Sequence, residues 1–199
     1  MSKQFRKKGV FIVIYGANNI GKSTQVKKLA NKLVELGEQF LLVKYPIYQL
    51  EPTGSQINKA IRGSSDIGEF DLQKLFAKNR MDFQDVVTKL LNAGVNVLAE
   101  DYTGTGLAWG MVRDIPIEKL EEVNAGLLDP DISVLLDGKR FSEAKEKGHR
   151  NEDIVDSVWN KGRKAHLFLA DRYTWNVVNA NDSIDKVCSN IWGQVSRFF

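Results

Sequence analysis

Cysteine is almost missing from this chain: Cys188 is the only one among 199 residues. A lone thiol excludes an intramolecular disulfide and any paired-cysteine metal site. Histidine is nearly as scarce, and His149 with His166 leaves too few imidazoles for a His-based metal centre. No apolar run approaches the roughly 20 residues of a membrane-spanning helix. An excess of one charge is missing too, since 28 Lys and Arg face 25 Asp and Glu for a net charge of +3. A dedicated nucleic-acid binder concentrates a larger positive excess, so neither nucleic acid nor membrane is expected as a partner. The basic stretch at Lys3, Arg6, Lys7 and Lys8 reads first as a solvated tail. Internal repeats, low-complexity segments and Pro- or Gly-rich linkers are also lacking, which favours one domain over 1–199.

What is present is an ordinary globular composition, 43% apolar and 27% charged. The apolar run from Gly9 to Tyr15 follows basic residues and is about as long as the core of a signal peptide. It is rich in β-branched residues, however, and leads straight into a glycine loop, so a buried first strand is the better reading. A cytoplasmic protein is expected. Short, apolar, β-branched runs at 10–15, 40–45, 95–99, 132–136 and 175–179 alternate with helical spacing at 22–36, 55–62, 70–92, 117–128, 153–171 and 184–198. Gly37 and Gly94 fall where a helix ends in a left-handed residue. This alternation predicts a three-layer α/β domain with a five-stranded parallel sheet flanked by helices. The polar stretch at about 138–153, rich in cations, reads as an exposed charged turn or as a lid that closes over phosphates.

Gly16-Ala17-Asn18-Asn19-Ile20-Gly21-Lys22-Ser23-Thr24 fits G-x-x-x-x-G-K-[ST] at every fixed position. Its glycines let successive N–H groups turn inward around an anion, and the following helix adds its positive end. Lys22 is expected to reach the β- and γ-phosphates of ATP, and Ser23 to offer a hydroxyl to Mg²⁺. The loop lies between a predicted strand and a predicted helix, the context that separates a true phosphate loop from a chance match. Asp101-Tyr-Thr-Gly104 matches a loose GTPase pattern, but no guanine-reading Asn-Lys-x-Asp tetrad accompanies it. A small P-loop domain with a basic lid has the size of a nucleotide kinase.

Further segments resemble the thymidylate kinase family over nearly the whole chain. Lys44-Tyr45-Pro46 followed by Thr53-Gly54 is similar to the family's second strand and loop, and Leu75-Phe76-Ala77-Lys78-Asn79-Arg80 to its helix signature. The resemblance implies that Phe76 stacks on thymine and Arg80 hydrogen-bonds it, with Tyr45 also at the acceptor. Residues i and i+4 share a helix face, which suits a grip on one planar ligand. Val97 to Trp109 resembles the family's third strand and the loop after it. There Glu100 or Asp101 would attend the metal, Tyr102 the deoxyribose, and Thr105, Gly106 and Trp109 the rest of the acceptor pocket. Asp129-Pro-Asp131-Ile132 resembles the opening of the fourth strand, Gly148 to Glu152 the lid, and Trp175 to Val187 the closing strand and helix. The implied reaction moves the γ-phosphoryl of Mg²⁺-ATP to dTMP, with Lys22 and Arg150 on the transferring group and Lys145 and Lys147 beside them in the lid. A homodimer through the 70–92 helix is implied as well.

This chain departs from the family where charge matters. Asn18 replaces an acid, and Asn19 an arginine found in some members. The family's Asp-Arg pair reads Glu100-Asp101, and Gln49 stands where a loop arginine is usual. Two lost cations are a large change, since hydrogen bonds to charged groups are worth roughly 1.5–3 kcal/mol each. Either other cations, such as Lys44 or Arg62, compensate, or the acceptor differs. A deoxynucleoside kinase of the same superfamily is the first alternative, and a catalytically weak nucleotide-binding regulator the second.

Overall fold

The computed structural model describes residues 8–63, 66–141 and 156–199. Five parallel strands form the central sheet: β1 (Phe11–Tyr15), β2 (Phe40–Lys44), β3 (Asn96–Glu100), β4 (Ile132–Asp137) and β5 (Asn176–Asn179), in the order β2-β3-β1-β4-β5. All five residues of β1 and of β3 are buried, because helices cover both faces of the sheet. Side-chain alternation assigns the faces. Ile12, Ile14, Leu98, Val134 and Leu136 pack with α1 (Lys22–Glu35) and α7 (Ile184–Val195). Phe11, Val13, Tyr15, Val97, Ala99 and Leu135 pack with α3 (Glu69–Asn92) and with Ala170 of α6 (Asp156–Arg172). This is the three-layer architecture expected from the alternating pattern.

Both expected helix stops are present. Gly37 has φ 73° and Gly94 φ 81°. After α1, Gly37 N–H donates to Val34 O and Glu38 N–H to Leu33 O, which satisfies carbonyls that the helix end leaves open. After α3, Gly94 and Val95 make the same two bonds to Leu91 and Leu90.

Three segments differ from the expected pattern. Residues 103–109, read as part of a loop, instead form most of helix α4 (Thr103–Val112). Its Gly104, Gly106 and Gly110 suggest a loop by propensity. In the fold they make room for neighbours, since a Cβ at Gly110 would stand 2.5 Å from Leu120 Cδ2. The helix expected over 117–128 is shorter, α5 (Ile117–Val123), because Asn124 caps it and Gly126 turns the chain at φ 83°. The last helix ends at Val195 and tightens into a 3₁₀ turn, Ser196–Phe198. A short α2 (Thr53–Ile61) completes the set. Among the described residues no helix is long and apolar enough to cross a membrane.

The strand order places β1 between β3 and β4, so the connection out of β1 runs to one side, to the edge strand β2, and the connection out of β3 crosses to the other, to β4. In such sheets the crevice at the carboxyl ends of the central strands is where ligands bind. The segments after β1, β2, β3 and β4 all open onto that edge.

Candidate active site

The loop Gly16–Gly21 joins β1 to α1 at the carboxyl edge. Lys22 is 8% exposed and curls back over it. Its Nζ donates to Gly16 O at 2.8 Å and Ala17 O at 3.1 Å, and lies 3.7 Å from Asp101 Oδ1. The loop is pinned from outside at its two asparagines. Trp159 Nε1, on α6, donates to Asn18 O at 2.7 Å, and Phe141 N–H, after β4, donates to Asn19 O at 2.9 Å. Ile20 is buried in the core, and Ser23 and Thr24 open the helix at the surface. Trp159 and Phe141 carry no motif, and separations of more than a hundred residues hide such partners from sequence reading.

The ends of β2 and β3 meet the loop through carboxylates. Ser23 Oγ donates to Glu100 Oε1 at 2.8 Å, and Lys44 Nζ lies 3.1 Å from the same oxygen. Asp101 follows in a left-handed conformation, φ 61°, and its Oδ1 accepts from Thr105 Oγ1 at 2.7 Å. Aspartate tolerates this backbone better than most residues, because its short polar chain can bond locally. Two lysines, two carboxylates and two hydroxyls therefore converge at one strand edge.

Behind this edge lies Arg80, fully enclosed. Its Nη1 donates to Asn124 Oδ1 at 3.1 Å, while its Nε has no partner. Burial lowers its pKa, and the surrounding Tyr102, Tyr15 and Tyr45 act in the opposite direction. Burial also raises the tyrosine hydroxyls, that of Tyr15 to about 12, so all three stay neutral. Tyr102 packs 5.1 Å from both Phe11 and Tyr45, and Tyr15 stacks on Trp175 at 4.2 Å. α4 approaches closely because of its glycines: a Cβ at Gly106 would lie 2.9 Å from Arg80 Nη2 and 3.3 Å from Gln73 Oε1. Sequence reading missed Tyr15, Gln73, Asn124 and Trp175. Only the position of Tyr15, directly before the loop, could have signalled one of them.

Of the other expected residues, Phe76 is half-buried one turn before Arg80 on α3. Trp109 lies against α6, where a Cβ on Gly162 would stand 2.9 Å from its ring, and its edge meets His166 at 6.5 Å. Asn79 serves the loop after β2, accepting from Ile47 N–H at 2.8 Å and donating to Thr53 Oγ1 at 2.9 Å. Lys145, Lys147 and Arg150, with most of the expected lid, lie outside the described residues.

His166 is buried beneath the site, with Nδ1 2.8 Å from Gly162 O and Nε2 unpartnered. Desolvation depresses its pKa from 6.5 to about 4; the Gly162 carbonyl pulls the other way, and the field of Lys22 adds a smaller depression. The unfolded chain therefore binds a proton that the folded chain refuses. Stability should be full above pH 6.5 and fall as pH drops toward 4, by up to about 3 kcal/mol. Urea unfolding at pH 7 and pH 4.5, with His166→Gln losing less than the parent chain, checks this. Equal losses in the two proteins would assign the acid sensitivity to other groups.

The family described as thymidylate kinase matches residues 14–191. Thymidylate kinase of Dictyostelium discoideum is 26% identical over 193 residues, covering 95% of this chain and 86% of that protein. The human thymidylate kinase is 25% identical over 189 residues, covering 93% and 89%. A solved structure of thymidylate kinase from Candida albicans superposes with a TM-score of 0.84 at 25% identity, covering 96% of this chain and 92% of that one. A family match that begins at the end of β1 and spans the phosphate loop, the Arg80 pocket and the other four strands has one reading: the chain belongs to the thymidylate kinase family and is a phosphotransferase with a P-loop kinase fold.

Proposed function

We propose that this protein transfers the γ-phosphoryl group of ATP to dTMP, giving ADP and dTDP. The observation that carries the reading is a pair of sites, one at a sheet edge and one enclosed behind it. Lys22 and Ser23 form one end, and the enclosed Arg80 with its unpartnered Nε forms the other. A guanidinium only donates, so it selects a base edge that presents carbonyl oxygen, as thymine does, over one that presents an amino group. Tyr102 and Tyr45 supply apolar faces, and Phe76 can close the base from the α3 side.

Transfer of this kind asks for little covalent chemistry. The loop amides and Lys22 would hold and neutralise the donor phosphates, and the tyrosine-lined pocket would fix the acceptor in line. When bound with ATP, Mg²⁺ would supply charge neutralisation for the phosphates. The Ser23 hydroxyl and the neighbouring Glu100 and Asp101 are the hard oxygen ligands such an ion accepts, directly or through water. Arg150, Lys145 and Lys147 are proposed to complete the charge from the lid. Trp109, packed on α6, is proposed to line the far side of the pocket. A homodimer through α3, as the family resemblance implies, is proposed as well.

One observation favours a second reading. Asp101 occupies the place of the phosphate-binding arginine, and an acid there suits a nucleoside acceptor, which brings no phosphate. Turnover with a panel of nucleosides and monophosphates separates the two. We expect dTMP to be the best acceptor, with thymidine at least about 100-fold poorer, since it forfeits charged hydrogen bonds of the strong class. Turnover of thymidine above that of dTMP would replace this reading by the second.

A further inference from the structure

The family's third strand ends in a cation, and this chain's does not. Asp101 stands there instead, tied to Thr105 and facing Lys22. Gln49, at the other altered position, is an exposed neutral residue. A dianionic acceptor still has to be held, and the loss leaves Lys44 and Arg62 to consider. Arg62 caps the far end of α2, where its Nε donates to Asn58 of its own helix at 2.8 Å. Lys44 is differently placed. It ends β2 in direct register with Glu100 of β3. Its Nζ lies 3.1 Å from the Glu100 oxygen that Ser23 also engages, so ammonium and loop hydroxyl meet on one atom. Tyr45, the next residue, packs into the tyrosine cluster around Arg80. A monophosphate with its base at Arg80 and its phosphate pointing at Ser23 therefore passes Lys44.

We infer that Lys44 is the acceptor-phosphate cation of this chain: the charge lost from the end of β3 is supplied from the end of β2. The assignment rests on the monophosphate reading above. The Lys44 side chain is 48% exposed, and a half-exposed ion pair contributes little to stability. The Glu100 pair thus costs its ammonium little to give up for a phosphate. Glu100 keeps the Ser23 hydroxyl when it does so.

The test is calorimetric titration of the full chain with dTMP and, separately, with thymidine. Lys44→Met should weaken dTMP binding by about tenfold or more, the loss of one charged hydrogen bond, and leave thymidine binding within about twofold. Unchanged thymidine binding also reports that the pocket is folded. Lys44→Arg should restore most of the dTMP affinity, and Arg62→Met should leave it unchanged. If the parent chain prefers dTMP and Lys44→Met keeps that preference, the Lys44 assignment falls and the acceptor reading stands. Loss of the preference in Arg62→Met instead has the same consequence. If the parent chain binds thymidine as tightly as dTMP, the acceptor reading itself falls and takes Lys44 with it.

Discussion

Lys22→Met should abolish most phosphoryl transfer, by about 10³-fold in single-turnover rate, while leaving a folded protein. Removing one well-placed donor from a site of developing charge typically costs a factor of this order. Structurally the change is mild. The methionine keeps the aliphatic stem, and the carbonyls of Gly16 and Ala17, to which Nζ now donates, lose one bond each. These bonds come from an ammonium and belong to the charged class, worth roughly 1.5–3 kcal/mol each, so the unfolding midpoint should fall measurably while the fold remains. Asp101 loses its nearest cation, yet keeps the Thr105 hydroxyl. A Lys22→Met protein that turned over within tenfold of the parent would show that the loop lysine is not at the transferring group.

The second large effect is on stability. Gly104→Ala puts a Cβ 2.2 Å from Trp175 Cη2, 2.7 Å from its Cζ2 and 3.1 Å from Tyr15 Cε1. Neither ring can give way cheaply, because the two are stacked on each other at 4.2 Å and Tyr15 is wholly buried in the core. Overpacking of this kind costs about 1–3 kcal/mol or somewhat more, and the rigid stack points to the upper end. Gly193→Ala is the matched control, since it lies in α7 with nothing within 4 Å. There alanine should stabilise, by about 0.5–1 kcal/mol, through higher helix propensity. Denaturant unfolding of both variants measures the contrast. Similar stability in the two would mean that α4 moves freely away from the sheet.

The same glycines show why one element escaped a sequence reading. Thr103-Gly104-Thr105-Gly106 has poor helix propensity and was expected to be a loop, yet it opens α4. Packing overrode propensity: the helix can sit against Trp175, Arg80 and Leu120 only because Gly104, Gly106 and Gly110 lack side chains. The 117–128 segment erred in the other direction. Its helical spacing ran on past Asn124, but the Asn124 side chain caps the helix and holds Arg80.

What the sequence alone determined is local or periodic. Strand and helix alternation follows from burial on both faces of a parallel sheet, so the three-layer fold was legible. The loop from Gly16 to Thr24 was legible because anion binding by backbone N–H groups demands fixed glycines and a lysine at fixed spacing. Tertiary structure decided what depends on long-range approach. It made Lys44 and Ser23 partners on one Glu100 oxygen. It also enclosed Arg80 among tyrosines from three different strand ends. No spacing rule encodes those meetings. They arise only where the carboxyl ends of β1, β2 and β3 come together.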